Sequence, residues 1–246
     1  MKRSSVKAEN PASTLQPFNV PTMLTAIIVA AGSSRRMGFD KLSVPVAGKP
    51  VIEHTIDAFE QANSVADIIV VTREDRLAEF EKLTKGKVRE VIAGGEHRQD
   101  SVRAGLQRLD PQTKCIVVHD AARPLVTPEQ IERVFAECQQ HGAAALAEPV
   151  SDTLKRADKN LQVTGSVDRN QLFIMQTPQV FERKLLEEAY AAVLAKKLRI
   201  TDEVSAVEHL GRKVVLVPNE DSNFKITYER DLPLAEFILR QRLELK

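Results

Sequence analysis

Residues 26–41 read Ala-Ile-Ile-Val-Ala-Ala-Gly-Ser-Ser-Arg-Arg-Met-Gly-Phe-Asp-Lys, and no other stretch constrains the chain as much. Ala26 to Ala30 is apolar with no polar alternation. That is the pattern of a strand covered on both faces, as in a parallel sheet between helices. The run passes directly into the small-residue turn Ala31-Gly32-Ser33-Ser34. Such a turn presents bare backbone N–H groups at the carboxyl end of its strand, where open α/β sheets bind ligands. Arg35, Arg36 and Lys41 add fixed positive charge beside it. Backbone donors next to guanidinium and ammonium groups suit a nucleoside triphosphate. The stretch fits neither the Gly-x-x-x-x-Gly-Lys-Ser/Thr phosphate loop nor the Gly-x-Gly-x-x-Gly dinucleotide turn. Phosphates must therefore be gripped by side chains from an extended loop.

The rest of the chain alternates strand and helix patterns. Helical periodicity covers Val51–Gln61, Arg76–Thr84, Gln99–Leu109, Pro128–His141, Glu182–Lys196, Asp202–His209 and Tyr228–Leu243. Thr127 reads as an N-cap, with Pro128 at the first helical position. Buried-strand patterns cover Asp67–Thr72, Val88–Ala93, Lys114–His119, Ala143–Val150 and Lys213–Pro218. A turn is expected at Val46-Ala47-Gly48-Lys49-Pro50. This order predicts an α/β fold with a Rossmann-like, doubly wound, mostly parallel sheet. The alternation breaks at 151–170, a polar stretch with period-2 hints and a turn near Asp158-Lys159-Asn160. It reads as a β-arm projecting from a single domain that spans residues 24–246.

Composition narrows the partners. The 246 residues give 35 basic against 34 acidic side chains, and a net charge of +1 offers no reason to expect nucleic acid or an anionic membrane as a partner. Cys115 and Cys138 fall in a strand and a helix pattern with no Cys-x-x-Cys, so buried structural thiols are expected rather than a zinc site or redox pair. No apolar run reaches the ~18 residues of a spanning helix. Residues 1–23 lack the apolar core of a secretory signal and read as a disordered extension, though their basic, serine-containing character also suits an organellar presequence. The expected location is cytoplasmic.

Three further loops carry chemistry. Gly94-Gly95-Glu96-His97-Arg98-Gln99-Asp100-Ser101 joins a strand to a helix. Its glycines allow close backbone approach, its carbonyls can read an exocyclic amine, and Ser101 can read a ring atom. His119-Asp120-Ala121-Ala122-Arg123-Pro124 follows the next buried strand. There Asp120 can help hold Mg²⁺ or a sugar hydroxyl, Arg123 can take a phosphate bidentately, and His119 is expected to support the strand end. Thr177, Thr201 and Lys225 lie in later loops and supply the hydroxyls and cations that a phosphorylated polyol requires.

Ala-Ala-Gly-x-x-x-Arg-Met, Gly-Gly-x-x-Arg-x-x-Ser-Val, Asp-Ala-Ala-Arg-Pro, Asp-Thr, Val-Asp-Arg, Thr-Pro-Gln, Ile-Thr-Asp-Glu and Ile-Lys-Ile-Thr occur here in that order. The ordered set resembles the 2-C-methyl-D-erythritol 4-phosphate cytidylyltransferases of the non-mevalonate isoprenoid pathway, over roughly residues 24–243. The resemblance implies a homodimer exchanging β-arms. It also implies a Mg²⁺-dependent reaction, with the ion bound mainly through CTP phosphates, in which CTP and methylerythritol phosphate give CDP-methylerythritol and pyrophosphate. By the same resemblance Arg36 and Lys41 stabilise the pentavalent transition state, while Arg169 from the partner's arm and Lys225 position the substrate phosphate. Ala30, Ala31 and Gly32 line the nucleotide, Gly95, Glu96 and Ser101 surround cytosine, and Ala121 lies by the ribose. Asp120, Arg123, Thr153 and Thr177 face the methylerythritol side, with Thr201 nearby. No general base is needed, because the nucleophile is already a phosphate oxyanion; cations and positioning do the work.

The chain departs from the family pattern at Asp40-Lys41-Leu42, where members commonly read Pro-Lys-Gln, and Lys49 is a weaker competitor for the lysine role. Ribitol 5-phosphate cytidylyltransferase is the nearest alternative; a non-catalytic nucleotide-binding module is the alternative of another class. At this length no fused cyclodiphosphate synthase is expected.

Overall fold

The computed structural model describes residues 23–32 and 37–244. Arg36 and nearly all of the 1–23 extension lie outside the described residues. β1 (Leu24–Val29) is followed by a 3₁₀ turn, Lys41–Ser43, and a small hairpin of β2 (Pro45–Val46) and β3 (Lys49–Pro50). Ala47 (φ 46°) and Gly48 (φ 91°) form its two-residue link with positive φ, as tight hairpins require. Then come α1 (Val51–Gln61), β4 (Val65–Thr72), α2 (Leu77–Phe80) between the 3₁₀ turns Glu74–Arg76 and Glu81–Leu83, β5 (Val88–Ala93), α3 (Arg98–Leu106) and β6 (Cys115–Asp120). The second half adds α4 (Pro128–His141), β7 (Ala143–Pro149), β8 (Leu154–Ala157), β9 (Val163–Val167), β10 (Phe173–Glu182), α5 (Arg183–Ala195), α6 (Glu203–Glu208), β11 (Val215–Pro218) and α7 (Asp231–Glu244).

Seven strands form one sheet in the order β11-β7-β10-β6-β1-β4-β5. β1 runs parallel to β4 and β6, β4 to β5, and β7 to β11; β10 alone is antiparallel to both neighbours. The mostly parallel, doubly wound α/β expectation is met. In β1 the alternation sends Ala26 and Ile28 to the face covered by α1, α4 and α7, and Ile27 to the face covered by α3 and α5. Two apolar layers thus enclose the sheet, and a continuous apolar run is what such burial demands. Gly105 in α3 allows this helix to sit tightly on β1, since a Cβ there would stand 2.8 Å from Ile27.

The α4 expectation is met in detail. Thr127 Oγ1 accepts from Gln130 N, the Gln130 side chain accepts from Thr127 N, and Gly142 closes the helix at φ 80°. Both cysteines are buried and free, as expected. The predicted helix Arg76–Thr84 is instead one α-helical turn between two 3₁₀ turns. β10 was not legible as a strand. It carries Pro178 and buries Gln176, Thr177 and Gln179, and its register shifts between Met175 and Gln179, which is where a proline fits in a ladder. The arm appears as the hairpin β8–β9, within the expected 151–170.

Candidate active site

The parallel strands β1, β4, β5 and β6 end on one side of a cavity of about 420 Å³. Ala30, Ala31, Gly32, Lys41, Gly95, Glu96, Ser101, Asp120 and Lys225 all line it, so one site gathers loops up to about two hundred residues apart in the chain. The base-reading loop folds on itself. Ser101 Oγ accepts from Gly95 N at 3.3 Å and donates to His97 O at 3.3 Å, while His97 N donates to Asp100. A Cβ on Gly95 would stand 2.3 Å from Asp100 Cβ, so that backbone can lie there only as glycine.

Asp120, at the carboxyl end of β6, is the electrostatic hub. Arg98 Nε donates to its Oδ1 at 2.9 Å, Lys225 Nζ to its Oδ2 at 2.8 Å, and Arg123 Nε stands 3.9 Å from Oδ2. Burial alone would raise this carboxyl, but Arg98, Lys225 and Arg123 outweigh it and hold it well below the usual carboxylate range. Arg98 is itself held from behind. Its Nη1 donates to both oxygens of fully buried Glu203, at 2.7 and 2.9 Å, and Tyr190 OH donates to Glu203 at 2.9 Å. Glu203, Arg98, Asp120 and Lys225 thus alternate in sign from the core to the cavity mouth.

Lys225 reaches the cavity because its loop is tied down on both sides. Ile226 N donates to Ala122 O at 2.8 Å, and Arg123 Nη1 donates to Asn223 O at 2.7 Å. Asn223 Nδ2 donates to Thr177 O and Gln176 Oε1, and Gln176 also accepts from Asn219. A buried amide network of β10 therefore positions the cation. Lys41 Nζ donates to Ile226 O in the same loop, which brings the two lysines to one edge of the site.

The other expected site residues fall into two groups. Thr177, Arg123 and Ala121 back the site without lining it: Thr177 Oγ1 accepts from Asp120 N at 3.1 Å, and Ala121 is fully buried with its carbonyl held by Thr55. Thr153, Arg169 and Thr201 are exposed on this chain and do not line the cavity. Arg169 donates to Ser151 O within the arm region. His119 packs tilted against Phe59, with centroids 5.0 Å apart and planes at 55°, and burial pushes its pKa down to about 3, so it supports the strand end as a neutral ring. Lys49 pairs with Asp57 and does not line the cavity. Arg98 and Glu203 have a sequence signal only as members of the Gly-Gly-x-x-Arg and Ile-Thr-Asp-Glu motifs, which do not reveal that they pair. Tyr190 had none, being a single tyrosine in a helix.

Among the described residues, no group of three or more His, Cys, Asp or Glu could hold a metal ion. Both oxygens of Asp120 are ion-paired, which leaves it poorly suited as a ligand. The cationic cavity does fit an ion that arrives already bound to phosphates, since Mg²⁺ commonly relies on substrate phosphates and water.

A doubly wound sheet with glycine-rich and cationic loops at the carboxyl ends of its parallel strands defines an α/β nucleotidyltransferase. Comparison with known proteins makes the family specific. A family model described as 2-C-methyl-D-erythritol 4-phosphate cytidylyltransferase (IspD) matches residues 24–241. The chain belongs to this family. It is 39% identical over 225 residues to the 2-C-methyl-D-erythritol 4-phosphate cytidylyltransferase of Caldanaerobacter subterraneus, covering 89% of this chain and 99% of that protein. It is 35% identical over 227 residues to the chloroplastic enzyme of Oryza sativa, covering 89% of this chain and 75% of that protein. Among solved structures, 4-diphosphocytidyl-2C-methyl-D-erythritol synthase from Anaerococcus prevotii superposes with a TM-score of 0.79 at 32% identity, covering 89% of this chain and 97% of that chain.

Proposed function

We propose that this chain transfers the cytidylyl group of CTP to 2-C-methyl-D-erythritol 4-phosphate, giving CDP-methylerythritol and pyrophosphate in the non-mevalonate isoprenoid pathway. A substrate phosphate oxygen attacks the α-phosphorus, a new P–O bond forms, and the bond to the bridging oxygen breaks with its electron pair leaving on pyrophosphate. The observation that carries the reading is the convergence of Lys41, Lys225 and Asp120 on a cavity floored by Ala30, Ala31 and Gly32 and flanked by the Gly94–Ser101 loop. Two cations at one edge can draw two anions together and spread the charge that develops at phosphorus. Arg36 is proposed to join Lys41 in that task. Lys225 would turn to the substrate phosphate while Arg98 keeps Asp120 neutralised. Gly95, Glu96 and Ser101 would read cytosine, and Ala121 would pack behind the ribose.

Mg²⁺ is proposed to enter on the CTP phosphates, where it would neutralise charge and help pyrophosphate leave. Asp120 is then a counter-ion for Lys225 and Arg98 rather than a ligand. We also propose a homodimer. Leu161 (88% exposed), Val163 and Ile174 leave apolar surface on and beside the arm, which a second copy would cover. In that arrangement Arg169 and Thr153 would reach the partner's cavity, with Thr177 and Thr201 on the methylerythritol side. No described helix is long and apolar enough to cross a membrane, and a cytoplasmic location is proposed with the activity.

The test is pyrophosphate release from CTP and Mg²⁺ with methylerythritol 4-phosphate against ribitol 5-phosphate. Fast release only with the former supports the assignment. Preference for the latter would move the protein to ribitol phosphate, and no release with either would leave a nucleotide-binding module.

A further inference from the structure

Lys41 opens the 3₁₀ turn Lys41–Ser43, and the side chains on either side of it converge on one residue. Asp40 caps the turn, its Oδ1 accepting from Leu42 N at 2.9 Å. Its other oxygen, Oδ2, is ion-paired with Arg76 Nη1. Arg76 Nη2 donates to Ser43 Oγ at 2.5 Å and meets Glu79 Oε1 at 2.7 Å. Ser43 Oγ in turn donates to Glu79 Oε1 at 2.7 Å, and Arg76 Nε donates to Glu79 Oε2 at 2.7 Å. The guanidinium lies over the Phe80 ring, 5.0 Å from its centroid, and the Arg76 side chain is only 12% exposed.

One planar fork therefore grips the residue before Lys41 and the residue two after it. Between them Leu42 is buried, so the backbone is held on both sides of Lys41, whose Nζ donates to Ile226 O. A guanidinium has the rigid, divergent donors this needs; an ammonium does not. Arg76 ends the turn Glu74–Arg76 after β4, and the preceding Arg73 and Glu74 line the cavity wall. The β4 loop is thus tied to the lysine loop at the cavity edge.

We infer that Arg76 is a positioning residue for Lys41, clamping the lysine loop so that the ammonium is presented to the reacting phosphate at a fixed place. The inference rests on the cytidylyltransferase reading for its catalytic consequence, and on the geometry alone for the clamp. A misplacement of about 1 Å can cost up to ~100-fold in rate.

Arg76→Met keeps the apolar contact with Phe80 and removes every donor. It should lower kcat about ten- to hundredfold with the KM for CTP within about threefold. In a Lys41→Ala background the same change should cost almost nothing more, because the clamp acts through the lysine. An equal loss in both backgrounds, or full kcat in the single variant, overturns the inference. Asp40→Asn, which keeps the Leu42 cap but loses the charge, should show the same pattern at smaller size and covers the case in which Arg76→Met folds poorly. Hydrogen exchange of the 37–44 peptide reads the clamp without turnover. Arg76→Met should speed exchange there and leave distant peptides unchanged; unchanged exchange in that peptide overturns the clamp. Absence of activity in the wild-type protein would instead strike the functional reading, and the exchange result would still stand or fall by itself.

Discussion

Lys225 Nζ donates to Asp120 Oδ2 at 2.8 Å, across 105 residues of chain. The cation proposed to receive the substrate phosphate is thus held by a carboxylate whose other oxygen belongs to Arg98. Asp120 fixes Lys225 at the cavity edge, and Arg98 offsets the carboxylate charge so that the ammonium can also receive a phosphate. Asp120→Asn should raise the KM for methylerythritol phosphate by about tenfold or more, roughly 1.4 kcal/mol. The Mg²⁺ concentration for half-maximal rate should move less than about threefold, because the ion is carried by phosphates. Titrating both in steady state checks this; a tenfold shift in the Mg²⁺ requirement would make Asp120 a ligand.

Arg98 is the hinge of the buried charge series. Removing it alone leaves the Glu203 carboxyl buried beside Tyr190 without its charged partner, a loss of the order of 3–5 kcal/mol. Removing both charges together, as in Arg98→Met with Glu203→Gln, should recover at least about 1 kcal/mol of the summed single losses. Urea unfolding of the two singles and the double measures it. Simple additivity would mean the two residues do not act as one unit.

Arg169 and Thr153 stand away from this chain's own cavity. If the arm serves the partner's site, the strongly impaired Lys41→Ala and Arg169→Ala chains should complement when unfolded together and refolded. One of the two sites in a mixed C₂ dimer regains every residue, so random pairing should return about a quarter of wild-type turnover. No recovery in mixed dimers verified by mass would place Arg169's role within its own chain.

His119 gives the fold a defined acid weakness. Burial holds its folded pKa at about 3, against ~6.5 unfolded. The unfolded chain takes up a proton below pH ~6.5 that the folded chain refuses until about 3. Stability is intact above pH 6.5 and is lost as pH falls through that window. The depressed carboxyl of Asp120 has the same sign, its contribution fading below its unfolded pKa. His119→Gln keeps a donor for Arg123 O and cannot titrate. Between pH 7 and 4.5 it should lose about 2–3 kcal/mol less than wild type in urea unfolding. An equal loss would mean that His119 is not the group responsible.

Elements with strong local signals were legible in the sequence. The α1 and α4 boundaries and the β5 strand agree residue for residue, because periodicity, caps and flanking turns point the same way. β10 was hidden because tertiary contacts, not propensity, make it a strand: its buried Gln176 and Gln179 look polar until their amide partners are known. The last helix starts at Asp231 rather than Tyr228, since Asp231 accepts from Thr227 N and Tyr228 N ahead of the helix. In the site, the motifs named most of the lining residues. Contacts between motifs were not legible, because Arg98 with Glu203, Asp120 with Lys225, and Asp40 with Arg76 join segments whose spacing in the chain carries no signal. The acidic residue before Lys41 looked like a departure from the family pattern; in the fold it is a cap and one half of an ion pair.

The activity is tested most directly by ³¹P NMR of the product formed from CTP, Mg²⁺ and an equimolar mixture of methylerythritol 4-phosphate and ribitol 5-phosphate. A single new diphosphate diester, CDP-methylerythritol, is expected to appear with stoichiometric pyrophosphate. Exclusive formation of CDP-ribitol, or pyrophosphate release with no diester, would contradict it.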